Sequence, residues 1–210
     1  MGSLPLFILV VLAGVVAGWL RGGDLSGLAG TQVRGRRTAL ACLAVQALVG
    51  AAVVRALGMP RTLGAVLLIG ALAALVAVAR ANGQLPGVPL LALGLLLSLL
   101  VTVANLGVPV SAATLQRAGV PTERPLPKRP DAKHVLQGPG ARLVLLSDRL
   151  AVRPLRTVTG AGEVTEFAGL FLLVQHAMLL GAIPGRRRRA QPEPDPDAQE
   201  ARAVPWNWAD

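Results

Sequence analysis

Hydrophobic residues along the chain come in long runs rather than in alternation, and short clusters of Gly, Pro, Asn and Arg separate the runs. Four runs, residues 4–20, 38–54, 62–79 and 88–104, contain no charged side chain. A hydrocarbon core of about 30 Å takes roughly 17 to 25 helical residues to cross, so each run predicts one transmembrane helix. A fifth run, 164–183, includes Glu166, Gln175 and His176, which raise its insertion cost, but the stretches Phe167 to Val174 and Ala177 to Ile183 remain apolar. The first run has no Lys or Arg ahead of it and is longer than a signal-peptide core, so it reads as a retained helix that ends at Trp19 and Arg21-Gly22-Gly23.

The breaks between runs are turns. Leu57-Gly58-Met59-Pro60-Arg61 and the stretch from Arg80 to Gly87 are too short for anything but a reversal. The predicted fold is therefore an all-α integral membrane protein, an antiparallel bundle of about five transmembrane helices within residues 1–183. The loop 105–163 is expected to be partly structured. Ser111 is placed to cap a short helix from Ala112 to Ala118 at the interface, and Pro121, Pro125, Pro127 and Pro130 favour an extended spacer. Leu143 to Leu146, with Leu150 and Val152, reads either as a strand or as an interfacial segment. The tail 184–210, four arginines followed by Pro-rich acidic sequence, is expected to be disordered.

Composition supports the membrane reading: 53% hydrophobic residues against 15% charged excludes an ordinary water-soluble globule. The net charge of +10 comes from 21 Lys and Arg against 11 Asp and Glu, placed at the ends of the runs, so the expected partner is a bilayer with anionic headgroups and not nucleic acid. Arg186, Arg187, Arg188 and Arg189 are the expected headgroup contacts. With Arg21, Arg34, Arg36 and Arg37 they predict an outside N-terminus and a cytoplasmic C-terminus, although nine Lys or Arg in the long loop pull the other way. One Cys and two His offer neither a disulfide framework nor a metal centre, and nothing in the sequence calls for a cofactor or metal. Nucleophile-elbow, phosphate-loop and zinc-protease motifs are also missing, which lowers the prior for an enzyme.

Polar residues within the runs are the candidate functional groups. Gly94, Ser98 and Thr102 recur every fourth residue, with Asn105 three further on, which places them on one helix face. That face is either a helix contact, the simpler reading, or part of a polar path continued by Glu166 and His176. Glu166 and His176 are ten residues apart and off one face, so they do not form a direct pair. Gly14, Gly18 and Gly22 share the same spacing and predict a packing face, with Gln46 as a hydrogen-bonded partner of such a face. In the turn from Asn105 to Val110, Gly107 permits a tight backbone path, Pro109 fixes φ, and Asn105 is placed to cap helix-end carbonyls. Lys133 and His134 read as a solvated pair, with a lipid phosphate as the alternative ligand.

Leu20-Arg21-Gly22-Gly23, Asn105-Leu106-Gly107-Val108-Pro109-Val110, Lys133-His134-Val135-Leu136 and Phe171-Leu172-Leu173-Val174-Gln175, taken in order, resemble a bacterial family of small polytopic membrane proteins known as a domain of unknown function. The similarity spans residues 1–183 and leaves the tail outside. The family pattern has an Asn, paired glycines and Met-Pro-Val at the fourth-helix exit, from which Leu106 and Val108 depart, and Gly-Asp where this chain has Gly162-Glu163. The resemblance implies a protein of the bacterial cytoplasmic membrane and supplies no catalytic residues. The expected function is non-enzymatic binding of a lipid or a membrane partner protein. The alternative is a small transporter or transporter subunit with a polar path between the fourth and fifth helices, and an intramembrane enzyme acting on a lipid or isoprenoid carrier comes third, a reading that a close cluster of Glu163, Lys133 and His134 would raise.

Overall fold

A computed structural model describes residues 4–50, 61–119 and 133–181 of the chain. Long helices α1 (Leu4–Leu20), α3 (Arg36–Gly50), α4 (Arg61–Ala81), α5 (Val88–Asn105) and α7 (Ala161–Gly181) form the body. Short helices α2 (Ser26–Gly30) and α6 (Ala112–Arg117) and strands β1 (Val108–Val110), β2 (His134–Leu136), β3 (Leu150–Val152) and β4 (Thr157–Thr159) lie in the connections. Three stretches, Thr62–Ala81, Val88–Asn105 and Ala161–Gly181, are long and apolar enough to cross a membrane. α1 is wholly apolar over 17 residues. Large side chains such as Leu12, Val16, Leu67, Leu96 and Leu100 point outward, an exposure that suits hydrocarbon and not water.

The helix boundaries follow the apolar runs closely. α1 starts and stops where the run does, while α4 and α5 each extend by one to two residues at their polar ends. α7 begins at Ala161 and not at 164, because Val164 N–H closes a turn onto the Gly160 carbonyl and Glu163 suits the positive end of the helix dipole. The stretch read as a plain loop after α1 contains α2. The end of the second run (51–54), the Pro-rich spacer and the tail with Arg186 to Arg189 lie outside the described residues.

Successive long helices run in opposite directions. Gly35, just ahead of α3, sits against Val78 near the end of α4. Gly87, just ahead of α5, meets Gly169 of α7, Gly94 within α5 meets Gly162, and α1 runs parallel to α7. The α5–α7 interface is the most extensive, followed by α1–α7. A core of Leu68, Leu72, Leu75, Val88 and Leu95 fills the space between α4 and its neighbours, with Cys42 and Val49 of α3. On α1, Gly14 lies against Val174 and Gly18 against Met178, the packing face that the spacing predicts. Gly22 does not continue that face. It has φ of +81° and open space around it, so it is the left-handed residue that ends α1.

Two asparagines tie the connections to the helix ends in the same way. At the end of α4, Asn82 Nδ2 donates to the Val78 carbonyl (2.7 Å) and the Arg34 carbonyl (2.9 Å), while its Oδ1 accepts the Arg34 amide (2.8 Å). At the end of α5, Asn105 Nδ2 donates to the carbonyls of Val101 and Arg142 (both 2.9 Å), and its Oδ1 accepts the Arg142 amide (2.8 Å). Each side chain thus satisfies an orphan helix-end carbonyl and a distant backbone pair together. The capping role expected of Asn105 is seen, and the equal role of Asn82 is an addition.

Beyond α5 the chain folds into a cap at the end of the bundle where α7 starts. β1 pairs in parallel with β2, Val108 opposite His134, and β3 pairs antiparallel with β4, Leu150 opposite Thr159. Ser111 caps α6 by accepting the Thr114 amide (3.0 Å). Leu115 of that helix is fully buried with Val110, Ala118 and Val158 in a small core of the cap. Within Leu143 to Val152 the strand reading holds for Leu150–Val152, whereas Val144–Leu146 is a 3-10 turn, and Leu143, Leu145 and Leu150 stay exposed.

Candidate functional site

The polar face of α5 and the first turns of α7 converge directly under the cap. Ser98 and Thr102 are one turn apart on α5, and Glu163 and Glu166 are three residues apart on α7, so each pair shares one face of its helix. Two glycines let these faces close. A Cβ on Gly94 would stand 2.7 Å from Glu166 Cγ and from the Gly162 carbonyl, and a Cβ on Gly162 would stand 2.5 Å from Ser98 Oγ. With the backbones this near, Ser98 Oγ donates to Glu166 Oε1 at 2.6 Å. Thr102 Oγ1 donates back to the Ser98 carbonyl at 2.6 Å, which removes its own hydroxyl from competition.

The cap supplies the counter-charge. Leu106 and Gly107, with φ of 49° and 147°, turn the chain sharply out of α5. A Cβ on Gly107 would lie 3.0 Å from the Lys133 carbonyl, and the Val108 amide donates to that carbonyl at 2.8 Å. This registers β2 beside β1 and suspends Lys133 over the start of α7, where its ammonium pairs with Glu163 Oε1. Next along β2, His134 Nε2 is 2.9 Å from Asp148 Oδ2, both side chains being 3% exposed. Asp148 is held by its amide, which donates to the Pro109 carbonyl (3.2 Å), and by Gly160, whose missing Cβ leaves room for Oδ1. Pro109 itself is fully buried.

Lys133 and His134 are therefore not the solvated pair that the sequence suggests. Both are drawn inward, because β1 leaves no other register for β2 and because acidic partners wait on α7 and after the 3-10 turn. Burial alone would lower the Lys133 pKa, but the charges of Glu163, then Asp148 and Glu166, more than reverse this and hold it above the ordinary lysine range. Lys133 is thus a fixed cation at physiological pH.

These groups enclose a cavity of about 30 Å³. Gln46, Ser98, Thr102, Lys133, Asp148, Glu163 and Glu166 form its polar wall, and apolar side chains such as Leu68, Leu72 and Val101, with Gly160 and Gly162, line the rest. A single water takes roughly 10 to 15 Å³ on this measure, so the space suits one or two water-sized molecules. One buried oxygen of the lining side chains, Glu163 Oε2, has no hydrogen-bond partner among the described residues. No group of three His, Cys, Asp or Glu side chains among them is arranged to hold a metal ion.

Of the polar residues singled out in the sequence, Gln46, Ser98, Thr102, Glu166 and Lys133 meet at this cavity, and Gly107 and Pro109 hold the cap against it. Asn105 is engaged with Arg142 at the rim, and His134 lies behind the wall with Asp148. His176 is ten residues beyond Glu166 on α7, about 15 Å along the helix, and does not line the cavity. Glu163 is not among the polar-path candidates of the sequence, and Asp148 is missed altogether. Its sole signal is an acid two residues after the apolar stretch Leu143 to Leu146.

Neither the curated proteins nor the solved structures contain a match to the chain. A family model does match, over residues 30–175, a span that takes in every residue lining the cavity. The chain belongs to that family, DUF5317, described as a family of unknown function.

Proposed function

We propose that the chain is a non-enzymatic, multi-pass protein of the bacterial cytoplasmic membrane that takes up a small polar solute or ion between cap and bundle, as a transporter or transporter subunit does. The observation that carries this reading is the convergence of Ser98, Thr102, Glu163, Glu166 and Lys133 on one cavity at the α5–α7 junction. Ionisable groups beside hydrocarbon are costly and are kept at substrate and ion paths. The arginines of the first connection favour a cytoplasmic position for that end of the bundle, which leaves the cap outside.

The test is flux. Proteoliposomes with an entrapped pH dye should dissipate an imposed proton gradient faster than empty vesicles, and Glu166→Gln should return the rate to the empty-vesicle value while the protein stays folded. His176→Ala, remote from the cavity, should retain most of the flux. Equal rates in empty, wild-type and Glu166→Gln vesicles overturn the reading.

Lipid binding is the second reading, and one feature of the cap favours it. Leu143, Leu145 and Leu150 are exposed beside exposed Arg142, Arg149 and Arg153, a surface with the apolar and basic character of a headgroup contact. Replacing these three arginines with Gln should weaken stabilisation by phosphatidylglycerol relative to phosphatidylcholine in a thermal-unfolding assay.

A further inference from the structure

At the end of the bundle opposite the cap, we propose that Arg34, Arg36, Arg37 and Arg80 form a binding site for a phospholipid with two phosphates, of the cardiolipin class. The site stands apart from the cavity and from the leucines and arginines of the cap, and it depends on neither. Its frame is Asn82, 2% exposed at the end of α4. The Asn82 side chain bonds the amide and the carbonyl of Arg34 together with the Val78 carbonyl, which holds residue 34 against the last turn of α4, where Arg80 sits. Gly35 follows with φ of +74°, so close to Val78 that a Cβ would stand 3.2 Å from Cγ2, and α3 then begins with Arg36 and Arg37. Four arginines from two elements are thus gathered on one fixed piece of backbone.

All four side chains are exposed, and none has an ion pair among the described residues. Asp24, the one acid at that end among those residues, sits against α7, where its amide donates to the Met178 carbonyl. Arg36 and Arg37 occupy a first turn of α3 that has no acid, so they oppose the helix dipole and the helix itself gains nothing from them. Guanidinium groups match phosphate oxygens in bidentate fashion, and four unmatched ones suit two phosphates better than one. The neighbouring surface decides where those phosphates come from. Leu40 and Leu43 follow Arg36 on one face of α3, and Ala73 and Ala77 precede Arg80 on one face of α4, all of them exposed. Each of these arginines therefore continues an apolar helix face, as a headgroup continues its acyl chains. A soluble phosphate or a nucleic acid has no apolar part to lay there, whereas basic surfaces between transmembrane helices hold the headgroups of such lipids.

The experiment is thermal unfolding of the full chain in micelles of an uncharged detergent. Cardiolipin, phosphatidylglycerol, phosphatidylcholine and inorganic pyrophosphate are titrated in at matched phosphate concentration. Cardiolipin should raise Tm by several degrees and saturate, because a ligand of the folded state stabilises it by mass action. Phosphatidylglycerol should need about tenfold more phosphate for the same shift, since two linked phosphates act as a bivalent ligand. Phosphatidylcholine and pyrophosphate should have no effect. Arg36→Gln combined with Arg37→Gln, and separately Arg80→Gln, should raise the cardiolipin half-saturation several-fold while leaving the lipid-free Tm unchanged, as these side chains are exposed. Gln in place of Arg142, Arg149 and Arg153 of the cap, or of Arg186 to Arg189 of the tail, should leave the cardiolipin half-saturation unchanged, whatever it does to phosphatidylglycerol. Equal responses to cardiolipin and phosphatidylglycerol would mark a general basic flank and overturn the inference. An undiminished response in either α3–α4 variant, or its loss with the cap or tail arginines, overturns it as well. A pyrophosphate response equal to that of cardiolipin would assign the arginines to a soluble ligand and remove the lipid.

Discussion

On one face of α7, helix α1 brings Gly14 and Gly18 against Val174 and Met178; on another, α5 brings Gly94 against Gly162 and Glu166. Both faces use glycine to bring helix axes close, where apolar lipid offers no hydrophobic drive for association. What each glycine meets is different. Against α1 the glycines receive apolar side chains, one of them a methionine that can move aside. Against α5 they receive backbone and carboxylate, and the close approach joins Ser98 to Glu166. Close packing is thus a fastening on the first face and a way of assembling polar chemistry on the second.

The sharpest way to break that distinction is Gly94→Leu. Its side chain has nowhere to go except into the α7 backbone, so a loss of about 3 kcal/mol or more is expected in reversible unfolding from mixed micelles. Lys133→Ala should come next, at about 3 kcal/mol, since it strands Glu163 with a buried charge. The double change Lys133→Leu with Glu163→Leu should recover most of that loss, and no recovery would mean the lysine matters for packing alone. Gly18→Leu is expected to cost less, about 1 to 2 kcal/mol, because Met178 can repack. If Gly18→Leu cost as much as Gly94→Leu, the two faces would not differ in the way described. Ser98→Ala should cost about 1.5 kcal/mol, the low end for a hydrogen bond to a charged group.

The sign of the pH dependence sharpens the same contrast. The Lys133 pKa is raised on folding, so its charge stabilises fully below its ordinary value of 10.5 and is lost only as pH climbs through the higher folded value. The cost of Lys133→Ala should therefore not fall between about pH 7 and about pH 9. A cost that fell across that window would show the lysine losing its proton early, against the three carboxylates around it.

Much of the bundle is legible in the chain, because a membrane helix is a one-dimensional signal: an uncharged run such as 62–79 needs no partner to be recognised. The small-residue spacing of Gly94, Ser98 and Thr102 is equally local, and it does mark a helix contact. The cavity is half legible for the same reason. Ser98, Thr102 and Glu166 stand out as polar residues within apolar runs, whereas Lys133 and Asp148 sit among other charged residues of the long connection. Their burial depends on a parallel strand pair, Val108 opposite His134, formed across 26 residues of chain. No periodicity announces such a pairing. The fate of Gly22 is a similar lesson, since a spacing of four continues past the point where the helix stops.

The order of the polar groups along the chain bears on how the protein is made. Ser98 on α5 and Lys133 ahead of β2 both precede Glu163 and Glu166. During synthesis, which runs from the N-terminus, the hydroxyl and the ammonium are in place before the helix carrying the two carboxylates reaches the membrane. α7 is thus the last long helix described and the one whose first turns are least suited to lipid, and it enters against a surface already able to receive it. A chain permuted to place α7 first would present those carboxylates to the bilayer with no partner yet made. In this protein the sequence order of acceptor and donor serves as an assembly schedule.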